Sequence, residues 1–381
     1  MSDVDPILSL VRPAVLALKP YSSARKEFTA GATAPRAWLD ANENPTMPMA
    51  SLPSGMSAEA QRAKMEALAK EGFARLNRYP DPQPQELVER LAALYGVSPA
   101  QVLVTRGSDE GIDLLLRAFC SEGRDSILIT PPTYGMYSVS AAIQGARVVS
   151  VPLVREKHFA LDADAVIAAW QPGLKLVFLC SPNNPTGGLL SRASILKVAR
   201  ELEGRAMVVV DKAYIEFSGR SVLTAEIANT PNLVVLRTLS KAFGLAGARV
   251  GVTIGDPSLI AVLKKIIAPY PVPSPVAAAA LAALTPAGIT AARESAANLA
   301  AGRKDLAARL AALPAVKHVW PSDANFLLVE VVDAKRTMAA ARIAGVVLRD
   351  RSREPGLEGC IRITTGTAEE NQLVLEALSH D

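Results

Sequence analysis

From about residue 83 to residue 270, short runs of β-branched and aliphatic residues alternate with stretches whose apolar positions recur at helical spacing. Such alternation predicts strands interleaved with helices, as in a mostly parallel sheet. The predicted strands are Val102–Val104, Ser126–Ile129, Arg147–Val151, Leu176–Leu179, Met207–Val210 and Leu233–Leu236. Several are apolar at every position rather than at alternate ones, which suits a sheet covered by helices on both faces. Gln85–Tyr95 places Leu87, Leu91 and Leu94 on one helical face, and Gly96 just beyond supplies a stop. After Pro271-Val272-Pro273-Ser274-Pro275 the pattern changes. An Ala/Arg/Leu-rich helical region over about 276–313 leads into apolar runs at Phe326–Val332, Val346–Leu348 and Cys360–Ile363. The expected fold is therefore α/β: a large domain with a mixed, mostly parallel sheet between helices, plus a smaller α+β domain. Its expected divisions are an N-terminal arm over 1–38, a large domain over 39–272 and a small C-terminal domain over 273–381.

Composition narrows the class without naming a chemistry. Half of the 381 residues are hydrophobic and 20% are charged, which describes a folded chain with a sizeable core. The net charge of +4 is spread thinly, with no Lys/Arg stripe and no zinc-finger spacing, so no nucleic-acid partner is expected. The N-terminus Met1-Ser2-Asp3-Val4-Asp5-Pro6 lacks the cationic start of a secretion signal. The Ala/Val-rich run Pro275–Thr285 is shorter than the roughly 20 apolar residues of a membrane span. A cytoplasmic protein with no membrane contact is expected. Cys120, Cys180 and Cys360, like His158, His318 and His380, lie far apart, so neither a disulfide framework nor a metal site is expected.

Chemistry gathers in loops that follow predicted strands. After Leu233–Leu236 comes Arg237-Thr238-Leu239-Ser240-Lys241-Ala242-Phe243-Gly244-Leu245-Ala246-Gly247-Ala248-Arg249-Val250-Gly251. A lone lysine after a serine means little, but Thr238, Ser240 and Arg249 supply hydroxyls and a guanidinium for an anion, and the glycines allow close backbone approach. Together they make Lys241 a candidate for a lysine that carries an anionic cofactor as a Schiff base. Met207–Val210 ends in Asp211-Lys212-Ala213-Tyr214. Asp211 is either a helix cap or a carboxylate at the ligand-binding end of a parallel strand. Cys180-Ser181-Pro182-Asn183-Asn184-Pro185-Thr186-Gly187 follows Leu176–Leu179 and reads by composition as a turn. Arg106-Gly107-Ser108-Asp109-Glu110-Gly111 opens a helix, whose amides at Ser108 and Asp109 can cradle a phosphate. Tyr134, in Pro131-Pro132-Thr133-Tyr134-Gly135-Met136-Tyr137, is either a core tyrosine or an aromatic wall for a ring.

The order Asn184, Asp211, Lys241 at successive strand ends resembles the fold-type-I aminotransferases that use pyridoxal 5'-phosphate, the aspartate-aminotransferase-like architecture. Over nearly the whole chain the pattern is similar to the histidinol-phosphate aminotransferase family. Leu39-Asp40-Ala41-Asn42-Glu43-Asn44-Pro45, Asn77-Arg78-Tyr79-Pro80-Asp81-Pro82, Ala213-Tyr214-Ile215-Glu216-Phe217, Ile267-Ala268-Pro269-Tyr270-Pro271 and Arg362-Ile363-Thr364-Thr365-Gly366-Thr367 carry that likeness. The resemblance implies a homodimer in which Tyr79 reaches the partner's cofactor phosphate. It implies Lys241, Asp211 and Tyr214 as catalytic residues. Asn184, Tyr134, Ser108, Asp109, Thr238, Ser240 and Arg249 complete the cofactor site. Tyr21, Arg349, Arg362 and Asn184 are implied for the substrates histidinol phosphate and 2-oxoglutarate or glutamate. The expected reaction is ping-pong amino transfer in histidine biosynthesis. An aromatic amino acid aminotransferase or a decarboxylase of a phosphorylated amino acid is the rival with the same loops; a regulator with this fold but no turnover is a third reading, disfavoured by the intact Asp211/Lys241 pair. Arg351 reads as a solvated loop charge. Two departures stand out: Lys212, where the family commonly has Glu, points away from Asp211 by alternation, and the stretch from Pro45 to Arg78 is longer than in the family.

Overall fold

The computed structural model describes residues 34–46, 76–220 and 223–379, with a few single positions between 15 and 67. The strands in the first two thirds of the chain are β1 (Ala37–Trp38), β2 (Val102–Thr105), β3 (Ser126–Ile129), β4 (Arg147–Ser150), β5 (Leu174–Cys180), β6 (Met207–Asp211), β7 (Leu233–Thr238) and β8 (Gly251–Ile254). β2 to β8 make one seven-stranded sheet in the order β2-β8-β7-β6-β5-β3-β4. Its pairings are parallel except at β8, which runs antiparallel to both β2 and β7. The mixed character of the sheet thus comes from a single strand.

Burial explains why the central strands are apolar throughout. Leu176 to Leu179 on β5 and Val208 to Val210 on β6 are all 0% exposed, so side chains on both faces are covered. Each such aliphatic side chain contributes about 1.5–3 kcal/mol relative to its exposed state. β4, at the sheet edge, keeps the exposed pattern of an outer strand. From β3 the chain steps outward to β4 and returns to β5 on the other side of β3. A reversal of this kind leaves a crevice beyond the carboxyl ends of the strands. The loops after β3 and β5 border it, and those after β6 and β7 extend it.

The predicted helix Gln85–Tyr95 forms over those residues and ends on Gly96, whose φ of 66° is the left-handed conformation of a helix stop. The helical region expected over 276–313 is instead two helices, Ser274–Ala283 and Pro286–Ala311. Thr285 caps the second by accepting from the amide of Gly288 at 3.1 Å, and Pro286 occupies the first turn, where its missing N–H costs nothing. Among the described residues no single helix is long and apolar enough to cross a membrane; these two pass such a test only together, across a bend of 73°.

The C-terminal part adds β9 (Val316–Val319), β10 (Phe326–Val331), β11 (Val346–Val347), β12 (Arg349–Asp350) and β13 (Cys360–Thr364). β12-β13-β10-β9 form an antiparallel sheet, while β11 pairs in parallel with β1. Ala37 and Leu39 pack into the same core as Leu327, Ile363 and Leu378. The long helix Pro286–Ala311 joins both cores: Ala292, Ala296 and Leu299 belong to the larger, Leu306 and Leu310 to the smaller. Phe326 and Leu328, on the other face of the smaller sheet, meet the larger core. The groove between the two sheets is where the strand-end loops converge.

Candidate active site

One cavity of about 710 Å³ opens at the carboxyl ends of β5, β6 and β7. Ser108, Asp109, Tyr134, Asn184, Asp211, Tyr214, Thr238, Ser240, Lys241, Arg249, Arg349 and Arg362 all line it. Two further sequence candidates remain. Tyr21 lies outside the described residues. Tyr79 is 81% exposed and stacks on Tyr270, with ring centroids 4.4 Å apart.

Asp211 closes β6 and is 3% exposed. Oδ2 accepts from the Tyr137 hydroxyl at 2.9 Å and Oδ1 from the Ala213 amide at 3.0 Å. Burial pushes its carboxyl up to about 6, and these hydrogen bonds pull the other way. Lys212 leaves the strand on the opposite side and takes no part in the cavity wall. It is nonetheless 4% exposed, with Nζ 3.4 Å from Ser181 Oγ.

Lys241 follows β7, and its Nζ donates to the carbonyl of Ala41 at 2.9 Å. Burial lowers its ammonium to about 8, and Arg362 adds to that shift. The Tyr214 ring lies 5.7 Å from the same nitrogen. The Tyr214 hydroxyl accepts from Asn42 Nδ2 at 3.2 Å and Asn184 Nδ2 at 3.3 Å. Asn184 in turn accepts from Arg362 Nη1 at 2.7 Å, and Arg362 Nη2 also donates to the carbonyl of Asp40. Asn184 thereby fixes both the tyrosine and the arginine from one turn.

An anion site lies at one end. Ser240 Oγ accepts from Arg249 Nη1 at 3.3 Å, and Thr238 Oγ1 donates to Ser240 Oγ at 2.9 Å. The helix Ser108–Phe119 begins beside them. Gly107, at φ 79°, turns the chain into that helix; a Cβ there would meet Arg249 Nη2 at 2.6 Å. A Cβ on Gly251 would lie 2.1 Å from the carbonyl carbon of Gly107, so only glycine lets β8 approach the helix start. Arg249 also pairs with Asp109 at 3.3 Å, and Asp109 accepts from the Tyr134 hydroxyl at 2.9 Å.

A second cationic end is built by the smaller sheet, where Arg349 and Arg362 face each other across β12 and β13. Arg351 corrects the sequence reading. Its side chain is 13% exposed, lines the cavity and pairs with Glu354 at 2.7 Å. Its acidic and polar neighbours gave no hint of that burial. Tyr137 and Asn42 were missed as well, although both lie inside segments singled out for their neighbours.

The donor set fits a flat, anionic aromatic aldehyde. It offers hydroxyls, a guanidinium and a helix end for a phosphate, an acid for a ring nitrogen, two polar groups for a ring oxygen and an amine poised near neutrality.

The family model described as "Aminotransferase class I and II" matches residues 36–378. The histidinol-phosphate aminotransferase of Stenotrophomonas maltophilia is 47% identical over 380 residues, covering 99% of this chain and 98% of that one. The solved histidinol-phosphate aminotransferase of Sinorhizobium meliloti in complex with pyridoxal-5'-phosphate superposes with a TM-score of 0.83 at 25% identity, covering 98% of this chain and 97% of that one. Aspartate aminotransferase from Thermus thermophilus with maleate shares the fold, with a TM-score of 0.80 at 24% identity over 97% of this chain and 99% of that one. Expected family and fold class are thus both met: this chain belongs to the class I and II aminotransferases, within their histidinol-phosphate aminotransferase family.

Proposed function

We propose that this chain moves an amino group reversibly between L-histidinol phosphate and 2-oxoglutarate, giving imidazole-acetol phosphate and glutamate, as a step of histidine biosynthesis. The observation that carries the reading is a single cavity in which a half-buried lysine and a buried acid lie between two separate anion-binding ends. One end suits a cofactor phosphate. The other suits the substrate anion, which is a phosphate in one half-reaction and a carboxylate in the other.

Pyridoxal 5'-phosphate, when bound, supplies an aldehyde that condenses with amines and a ring that takes up electrons from a neighbouring C–H bond. Asp211 holds a proton at the ring nitrogen, which requires its carboxyl to stay ionised. Lys241 would hold the cofactor through its Nζ and, once freed by the substrate amine, would serve as the general base that takes the proton from substrate Cα and as the general acid that gives it back. Tyr214 and Asn184 address the ring oxygen, and Tyr134 covers the ring. Ser108, Asp109, Thr238, Ser240 and Arg249 hold the phosphate. Arg349 and Arg362 bind the substrate anion.

The family resemblance alone assigns Tyr21 to the substrate phosphate. It also assigns Tyr79 to the cofactor site of a second copy, and the outward exposure of Tyr79 fits a reach beyond its own chain. Divisions at 1–38, 39–272 and 273–381 belong to the same reading, supported by a seven-stranded sheet that falls within the second and a four-stranded sheet within the third, with β1 of the first pairing to β11 of the third. So does a cytoplasmic location, with which three buried, unpaired cysteines agree.

A single-turnover absorbance assay offers histidinol phosphate, phenylalanine and threonine phosphate separately. Rapid conversion of the cofactor to its amine form by histidinol phosphate is expected. Conversion by phenylalanine alone would establish the aromatic rival, and carbon dioxide release from threonine phosphate the decarboxylase. Lys241→Ala should abolish the visible absorption of covalently held cofactor.

A further inference from the structure

The hydroxyl of Tyr214 is held in one hydrogen-bonding sense by residues drawn from distant parts of the chain. A phenolic hydroxyl has one proton to donate and lone pairs on its oxygen to accept with. Two donors occupy the oxygen: Asn42 Nδ2 at 3.2 Å and Asn184 Nδ2 at 3.3 Å. What remains is the proton, on a residue that lines the cavity. The sense of each amide is fixed in turn by a residue of β13. Asn184 Oδ1 accepts from Arg362 Nη1 at 2.7 Å, and a guanidinium can only donate. Asn42 Oδ1 accepts from Thr364 Oγ1 at 3.2 Å, and that hydroxyl itself accepts from the Asn42 backbone N–H at 3.0 Å.

Asparagine suits this position for its backbone as well as its amide. Asn42 is 1% exposed, and its φ of 52° is a left-handed conformation that asparagine adopts more readily than most residues. Its carbonyl accepts from Asn325 Nδ2 at 3.1 Å. Backbone N–H, carbonyl and Oδ1 are thus tied to Thr364 and Asn325, and Nδ2 alone reaches Tyr214. Reversing the amide would remove the acceptor of the Thr364 proton and present an oxygen to Tyr214, drawing the tyrosine proton away from the cavity. Burial pushes the Tyr214 hydroxyl up, so it keeps that proton, while Arg362 and the Asn42 hydrogen bond pull the other way.

We propose that Asn42 is a positioning residue that aims the Tyr214 proton into the cavity and so makes the tyrosine a donor to the cofactor's ring oxygen. The inference rests on the reading that Tyr214 addresses that oxygen. In this role Asn42 acts through the tyrosine. Negative charge on the ring oxygen then meets a proton that no protein acceptor competes for, and hydrogen bonds in such a chain strengthen one another by about 10–30% per bond.

Absorbance titration of the holoenzyme tests this. The visible band of the covalently held cofactor changes when the nitrogen linking it to Lys241 releases its proton to solvent. That release leaves the charge on the ring oxygen unbalanced, so a donor to this oxygen lowers the midpoint. Charged or titratable groups around the Tyr214 hydroxyl are Cys180 on β5, Asp211 on β6, Lys241 after β7, Tyr134 after β3, Arg351 after β12 and Arg362 on β13. Asp40, Glu43 and Arg349 line the same cavity. All of these are kept in every variant, so the comparison isolates the two hydrogen-bonding groups that are changed.

Tyr214→Phe removes the donor and should raise the midpoint by about one pH unit or more, the size of a hydrogen bond to a charged group. Asn42→Gly keeps the left-handed backbone and removes the amide. It should raise the midpoint by roughly 0.3 pH unit, and by nothing further when combined with Tyr214→Phe. Asn42→Asp keeps the shape but turns the donor into an acceptor. Its charge raises the midpoint with or without the tyrosine hydroxyl, so the extra rise seen only with the hydroxyl reports the redirected proton. A merely structural role would shift the midpoint equally in both backgrounds. Equal shifts for Asn42→Asp with and without Tyr214→Phe, or no shift for Asn42→Gly, would overturn the proposal. A midpoint unmoved by Tyr214→Phe would remove the assignment of the tyrosine to the ring oxygen first, and this inference with it.

Discussion

The hydroxyl of Tyr137 donates to Oδ2 of Asp211 at 2.9 Å, from a ring that is itself 0% exposed and stacked on Phe178. Asp211 sits where its carboxyl is raised to about 6 by burial, so its ionisation at neutral pH depends on every group that favours the charged form. Tyr137 is the foremost of these. Tyr137→Phe keeps the ring stack and removes the hydrogen bond, which raises the carboxyl further. The acid limb of the kcat/KM profile should move to higher pH, with a stability loss of about 1 kcal/mol. Superposable pH profiles for variant and wild type would show that the tyrosine does not tune the acid.

Lys241 makes a second, independent pH prediction. Only the neutral amine attacks an aldehyde, and burial followed by Arg362 lowers its ammonium to about 8. Covalent uptake of pyridoxal 5'-phosphate by the cofactor-free protein should accelerate as pH rises through about 8. Arg362→Gln removes a cation that disfavours the ammonium, so the uptake curve should shift to higher pH. A shift to lower pH, or none, in stopped-flow absorbance would contradict the placement of Arg362 beside the lysine.

The parts of this site legible in the sequence are those that local pattern dictates. β5, β6 and β7 are apolar because both faces are covered, and each ends at the residue where polar chemistry begins, so Asn184, Asp211 and Lys241 follow from reading strand ends. β8 escaped because Gly251-Val252-Thr253-Ile254 is short, opens on glycine and merges with the preceding motif; its strand character comes from pairing with β2 and β7. The break at Thr285-Pro286 was written in the sequence as a capping residue followed by proline, but the alanine-rich surround masked it. Arg351 and Lys212 are different. Long-range packing buries them, and nothing within a few residues of either announces it.

Gly251 tests whether the close approach of β8 supports the anion site. Alanine there would place a methyl group 2.1 Å from the backbone carbon of Gly107, at the turn that aims the helix Ser108–Phe119 toward the cavity. The backbone must separate to admit it, at a cost of about 1–3 kcal/mol. Gly251→Ala should therefore weaken cofactor retention more than Gly247→Ala, where nothing lies within 4 Å of the added carbon. Equilibrium dialysis showing equal cofactor affinity for the two variants would remove Gly251 from the support of the phosphate end.

Lys212 predicts a gain rather than a loss. It is 4% exposed, and burial, reinforced by Arg237, lowers its ammonium from 10.5 to about 8. Below pH 8 the folded chain carries this charge buried; between 8 and 10.5 it has released a proton that the unfolded chain still holds. Stability from this residue therefore rises with pH across that window. At neutral pH the depressed value corresponds to a penalty of up to about 3 kcal/mol. Lys212→Met keeps most of the volume and removes the charge, and Ser181 Oγ retains the Leu190 amide as a donor at 3.1 Å. Because the side chain takes no part in the cavity wall, turnover should change far less than stability. Thermal melts should place the Met variant above wild type at pH 7 and bring the two together as pH approaches 10.5. A variant that melts lower at pH 7 would mean that the ammonium makes an interaction here worth more than its desolvation.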